Sequence, residues 1–269
     1  MKEANLKIEK KAKLIDDVNK WFEYGEPKGG ATQWKIGRSA FEFARYMTSY
    51  GGTVPSAILQ YLQSIGIQAY NFECEPERIT SFSKKKISKL CPGWNLGRGE
   101  GRHHDGLMWT PDDNECVVGI EAKVSEPFDR SIKNRIEAAK KNHKQGENTK
   151  KRILESIRII KGEKEQNKEW LKKDLMYQLL SATIGTVIEA KKFGAANAVF
   201  LVIEFKGNVY KEKEYDKHVD KNRKDYDNYM KFLELENKDD KDRNIEVDDI
   251  KVWFKKLSIN IGKADYSLE

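Results

Sequence analysis

The chain has 269 residues, 38% of them hydrophobic and 35% charged, with a formal net charge of +7. That length supports a substantial core in one large domain, and the modest basic excess favours a polyanionic partner. Cys74, Cys91 and Cys116 are scattered and form no CxxC pair, which argues against a disulfide framework or zinc knuckle and for a reducing compartment. Residues 1–7 lack an apolar leader and no segment reads as a membrane span, so a soluble, cytoplasmic protein is expected.

Residues 5–24 read as a charged amphipathic helix that ends at the Gly25–Gly30 breaker. A second helix is expected over 36–49, with Ile36, Ala40, Phe43, Ala44 and Met47 at helical spacing. Pro55 suits the first turn of a third helix that stops at Gly66. Residues 67–73 then read as the first core strand, and 74–101 as mostly loop, with basic Lys84–Lys86 and a glycine-rich stretch from Gly97 to Arg102.

Two apolar runs follow, His104–Trp109 and Val117–Val124, separated by Pro111-Asp112-Asp113-Asn114, the pattern of a β-hairpin. Residues 130–168 are the most unbalanced segment, with 13 Lys or Arg against 5 Asp or Glu, which leaves the rest of the chain near neutrality. Ile153, Ile157 and Ile160 give this segment helical spacing, with a polar break near Gly146. The span 171–193 is apolar around most of its circumference between Leu175 and Ile188, the mark of a buried helix, and Gly194 suits its C-cap. Residues 198–203 are a continuous apolar run fitting a central strand covered on both faces. A charged tail from 206 should hold a helix near 218–235 and a last ordered stretch over 247–261.

Side chains alternate along a strand, so Glu121 and Lys123 project from one face while Val118, Ile120, Ala122 and Val124 share the other. An acid and a lysine side by side, with Asp105 arriving from the neighbouring strand, suit a divalent metal and a water to be activated beside it. The competing reading is a solvated strand face with a weak ion pair, and Asp105-Gly106 is equally a common turn dipeptide.

Asp105, fifteen intervening residues and then Glu121-x-Lys123 resemble the PD-(D/E)XK, or restriction-endonuclease-like, nuclease superfamily over roughly residues 36–205. His104 stands where that pattern usually has proline. The resemblance implies an α/β fold with an αβββαβ core, a mixed central sheet flanked by helices. Around it would lie an N-terminal helix and linker (1–30), the basic helical insertion (130–168) and a charged C-terminal extension (206–269), all in a single nuclease domain. It further implies that Asp105 and Glu121 hold Mg²⁺, with Mn²⁺ able to substitute, and that Lys123 positions or activates the attacking water. The additional glutamate and glutamine of such sites would fall on Glu42 and Gln178.

Both have structural alternatives. Ser39-x-x-Glu42 is a capping box, and Arg38 and Arg45 lie within helical reach of Glu42. Gln178, on a nearly apolar helix, needs a partner that is either a substrate or water near the metal, or a buried backbone group. His103 and His104 lack zinc spacing. For phosphate contact the candidates are Arg98 and Arg102 in the glycine-rich loop and Lys150, Lys151 and Arg152 in the basic segment, against the alternative of a merely solvated face. The function expected is metal-dependent hydrolysis of phosphodiester bonds, in double-stranded DNA first, in restriction, repair or anti-phage defence. A homodimer fits the cutting of two strands. The rivals are a non-catalytic nucleic-acid-binding module on the same fold and an RNA-directed nuclease.

Overall fold

In the computed structural model, which describes residues 3–97, 101–124, 126–141, 143–162, 171, 174–207 and 215–261, eight strands form one mixed sheet. The N-terminal strand β1 (Asn5–Lys10) runs parallel to β3 (Asn71–Thr80), and the short β2 (Lys13–Leu14) pairs with its outer edge. From β3 the chain continues through β4 (Arg102–Trp109) and β5 (Cys116–Lys123) as an antiparallel meander. Next in the sheet lies β6 (Asn197–Lys206), parallel to β5, then β8 (Ile250–Asn260), parallel to β6, with β7 (Asn244–Val247) at the far edge.

Helices cover both faces. On one side α1 (Val18–Tyr24), α2 (Ser39–Thr48) and α3 (Ser56–Ser64) bury Trp21, Phe43, Met47, Ile58 and Leu62 against Val118, Ile120, Leu201 and Ile203. On the other, α5 (Ile132–Ala139), α6 (His143–Lys161), α7 (Tyr177–Phe193) and α8 (Tyr215–Phe232) pack over Leu107, Val117, Phe200, Val202 and Phe254, with the short α4 (Lys84–Ile87) at the margin. Each such large apolar side chain, fully buried, stabilises the fold by about 1.5–3 kcal/mol. Because α7 is enclosed by sheet and helices, every residue from Leu179 to Ala190 is buried. It ends where expected: Gly194 takes a left-handed conformation at φ +69°, and its N–H returns to the carbonyls of the last turn.

Several expectations are corrected. Residues 5–24 are not one helix: Leu6 and Ile8 alternate with exposed residues as a strand, and only Val18–Tyr24 is helical. The first core strand begins at Asn71, not at 67, and runs through the expected loop as far as Thr80. The break in the basic segment falls before His143 instead of at Gly146, which lies inside α6. The tail is no mere extension, since β8 pairs along the whole of β6. No helix among the described residues is long and apolar enough to cross a membrane.

Candidate functional site

The hairpin delivers the three expected residues to one end of the sheet. β4 and β5 pair from Trp109↔Val117 to Gly106↔Ile120, where the ladder stops. Beyond it the Asp105 carboxylate accepts a hydrogen bond of 2.6 Å from the Ala122 backbone N–H, between Glu121 and Lys123. That bond fixes Asp105 against the tripeptide. Alternation along β4 breaks at this point. A side chain at Gly106 would strike Phe43 of α2, whereas His104 packs beside Gly185 of α7 on the opposite face.

The β3–β4 ladder is interrupted at the same level. Pairs form at Pro76↔Gly106 and Arg78↔His104, and Glu77, which stands opposite Asp105 between them, adopts a left-handed backbone with φ +46°. Such a conformation is unfavourable for a residue with a Cβ and needs support. Lys10 of β1 supplies some, donating to the carbonyls of Pro76 at 2.7 Å and Glu77 at 3.0 Å. Glu77 therefore joins Asp105 in lining a cleft of about 340 Å³.

Glu121 is almost wholly buried at 1% exposure and is surrounded by donors. Its Oε1 is 2.7 Å from Lys123 Nζ and also accepts from Gln178 Nε2; its Oε2 is bound by the Arg102 guanidinium. Gln178 in turn accepts from the Asp129 N–H at 3.1 Å, so one amide ties the start of α7 both to Glu121 and to the chain that follows β5. Burial works to raise the Glu121 pKa, but Arg102 and Lys123 together hold its carboxyl below the usual range. Burial would likewise lower Lys123, yet Glu121 and Asp105 keep its ammonium above the ordinary value. The other two acids go the opposite way. Burial and then the Glu121 charge push Asp105 up to about 7, and burial and then Asp105 push Glu77 up to about 9.

The remaining candidates separate. Glu42, fully buried on α2, accepts from Gly37 N–H at 2.8 Å and lies 3.4 Å from Arg45; the expected capping box does not form, because Ser39 is the first helical residue and its N–H donates to Glu126. Arg102 is not in a loop: it opens β4 and is buried. Arg98 lies outside the described residues. The triplet on α6 does not share one surface, for Lys151 is exposed while Arg152 is buried, donates to Leu96 O at 3.1 Å and lines the cleft. Lys28 and Arg135 add further positive charge to its wall. His104 is completely buried with neither ring nitrogen bonded to a described residue, and burial, then Arg102, depress its pKa well below the ordinary 6.5.

Sequence reasoning missed Glu77 and the role of Arg102. The Glu73-x-Glu75-x-Glu77 alternation was the available signal for the first, but with 74–101 read as mostly loop it assigned no shared face to Glu75 and Glu77. Among the described residues, no group of three or more His, Cys, Asp or Glu side chains is assembled closely enough to hold a metal ion as arranged.

No curated protein matches the chain, and no solved structure does. The sequence model of the family described as Domain of unknown function (DUF6946) matches residues 14–261, and the chain belongs to that family.

Proposed function

We propose that the protein is a divalent-cation-dependent nuclease that hydrolyses phosphodiester bonds, with DNA as its first substrate and Mg²⁺ as its metal. The observation that carries the reading is the cleft at the end of β5. Glu121 and Lys123 are 2.7 Å apart, Asp105 is bonded to the peptide between them, and Glu77 stands opposite Asp105. The order of elements supports it: α2 and α3, the antiparallel β3–β4–β5, then α7 and β6 parallel to β5, is the order of the restriction-endonuclease-like αβββαβ core.

The donor set fits Mg²⁺ or Mn²⁺. It consists of hard carboxylate oxygens, two of them on groups whose burial beside other acids disfavours ionisation without an added cation. Asp105 and Glu121 would hold the ion. When bound, it would lower the pKa of a water and offset charge on the scissile phosphate. Lys123 would hydrogen-bond the attacking water and stabilise the negative charge that develops in the transition state. Gln178 orients Glu121, and Arg135, Arg152 and Lys28 neutralise phosphates along the wall of the cleft.

One observation favours a second reading, a nucleic-acid-binding module without turnover: both oxygens of Glu121 are already engaged by protein donors. A panel of linear, circular and single-stranded DNA and of RNA separates the two, run with Mg²⁺, Mn²⁺ or chelator. Cleavage that needs the cation and disappears in Lys123→Ala supports the nuclease, with the RNA lanes deciding the substrate class. Cation-independent binding with no cleavage of any substrate supports the module.

A further inference from the structure

Arg102 occupies an unusual place for a structural ion pair. Its stem passes over Gly185 of α7, where an added methyl group would come within 3.0 Å of Arg102 Cγ, so glycine is what lets the stem lie there. Its guanidinium binds Glu121 Oε2, its Nε has no partner among the described residues, and the residue lines the same cleft as Asp105 and Glu77. The group that neutralises the metal-binding acid thus faces the space a substrate phosphate would enter.

A guanidinium and a divalent cation bid for the same carboxylate oxygen. Arg102 cannot shed its charge, because its proton is not lost in proteins. When a metal takes Glu121 Oε2 and Asp105, the displaced guanidinium loses its bound partner and keeps only Glu77 nearby, so a further anion is favoured, since a buried underpaired charge is unfavourable. Phosphate oxygens match its planar fork as well as a carboxylate does.

Resting on the reading of this cleft as a metal site, we propose that Arg102 is a shared cation. It neutralises Glu121 while the metal position is empty and turns to a substrate phosphate when a divalent cation displaces it. Metal and nucleic acid then bind with positive coupling: each strengthens the other, because each removes part of the cost of displacing Arg102. Linkage requires the effect to be the same in both directions.

The test is calorimetric titration of Mn²⁺ into the full chain, alone and with a short DNA duplex whose phosphorothioate linkages keep the charge and resist hydrolysis. The parent should bind Mn²⁺ at least about fivefold more tightly when the duplex is present, the lower range of such couplings. Arg102→Met keeps the stem without the charge. It should bind Mn²⁺ more tightly than the parent in the absence of DNA and lose the gain on adding it, while Arg102→Lys should restore part of the coupling. Thermal melting confirms that each variant is folded; should Arg102→Met not fold, Arg102→Gln takes its place. Equal Mn²⁺ affinity and equal coupling in parent and Arg102→Met would overturn the shared-cation role. Glu121→Gln separates that failure from a deeper one. Mn²⁺ binding that ignores Glu121→Gln would overturn the metal site itself, whereas binding lost in Glu121→Gln but indifferent to Arg102 overturns only this inference.

Discussion

Glu121 and Glu189 are both buried carboxylates on the α7 side of the sheet, and their surroundings differ in one respect. Glu189, on α7, is bonded by Thr80 Oγ1 at 2.9 Å and paired with Arg78 at 3.1 Å and Lys192 at 3.4 Å, while Arg78 also pairs with Glu75. Two acids thus meet two bases, and the cluster ties β3 to α7. Around Glu121 the pairing is uneven: Arg102 and Lys123 both bind Glu121, Asp105 is held by the Ala122 N–H, and Lys10, the cation that acts most on Glu77, turns its ammonium to backbone carbonyls. Burial alone does not mark a functional site, since both glutamates are buried. The crowding of acids in a cleft is what sets the Glu121 cluster apart and what the proposed metal site rests on, because structure alone gains nothing from crowding carboxylates that resist ionisation.

The largest expected effect breaks the chemistry on one side only. Lys123→Ala and Glu121→Gln should each slow cleavage at saturating substrate by at least about 100-fold, the scale on which a transition-state charge partner acts. Lys123→Ala should still bind DNA, because one lysine among many contributes little to phosphate contact. Rates close to the parent's would remove either residue from the mechanism.

Stability should show the reverse asymmetry. Glu189→Gln leaves Arg78 and Lys192 short of an acid and should cost about 2 kcal/mol in urea unfolding. Glu121→Gln should cost less, as Asp105 and Glu77 remain to pair with Arg102 and Lys123. Equal losses would mean that the two clusters are alike.

The acid surplus also sets a pH dependence. Asp105 and Glu77 have raised pKa values in the folded chain, so their protonated forms favour the fold, and the stability they contribute falls as pH rises through about 7 and then about 9. Under the proposed function a divalent cation would replace the departing protons. Mg²⁺ should therefore raise Tm more at pH 8.5 than at pH 6, whereas a shift independent of pH would detach the cation from these carboxyls. His104 acts with the opposite sign: its depressed pKa means that stability is lost as pH falls below 6.5, where the unfolded chain takes up a proton and the folded chain does not.

The smallest effect concerns the basic helix. Arg152→Gln, inside the cleft, should weaken DNA binding more than Lys150→Gln and Lys151→Gln combined, for which a change of about threefold or less is expected. A double lysine variant that flattens the salt dependence by nearly two units of slope would instead restore the whole helix as a phosphate grip.

Much of this geometry was legible in the sequence where one physical signal dominated. The hairpin showed itself through two apolar runs on either side of a Pro-Asp-Asp-Asn turn, α7 through its largely apolar circumference ending at Gly194, and β6 through an unbroken apolar run. Residues 5–10 were misread because β1 fully buries only Leu6 and Ile8, so its charged residues fit a helix equally well. β3 was cut short by Pro76, which weakens a strand reading, and Glu77 owes its place to a left-handed backbone that no glycine announces. Arg102 adjoins a glycine-rich stretch and read as loop; only pairing with β3 shows it to begin a strand aimed at Glu121.

The most direct test is where a cation binds. Crystals of the protein grown with Mn²⁺ and measured at its absorption edge should show one anomalous peak in the cleft, about 2.0–2.2 Å from carboxylate oxygens of Asp105 and Glu121, with Arg102 turned away from Glu121. A cleft without such a peak at saturating Mn²⁺, with Arg102 still bound to Glu121, would contradict the account.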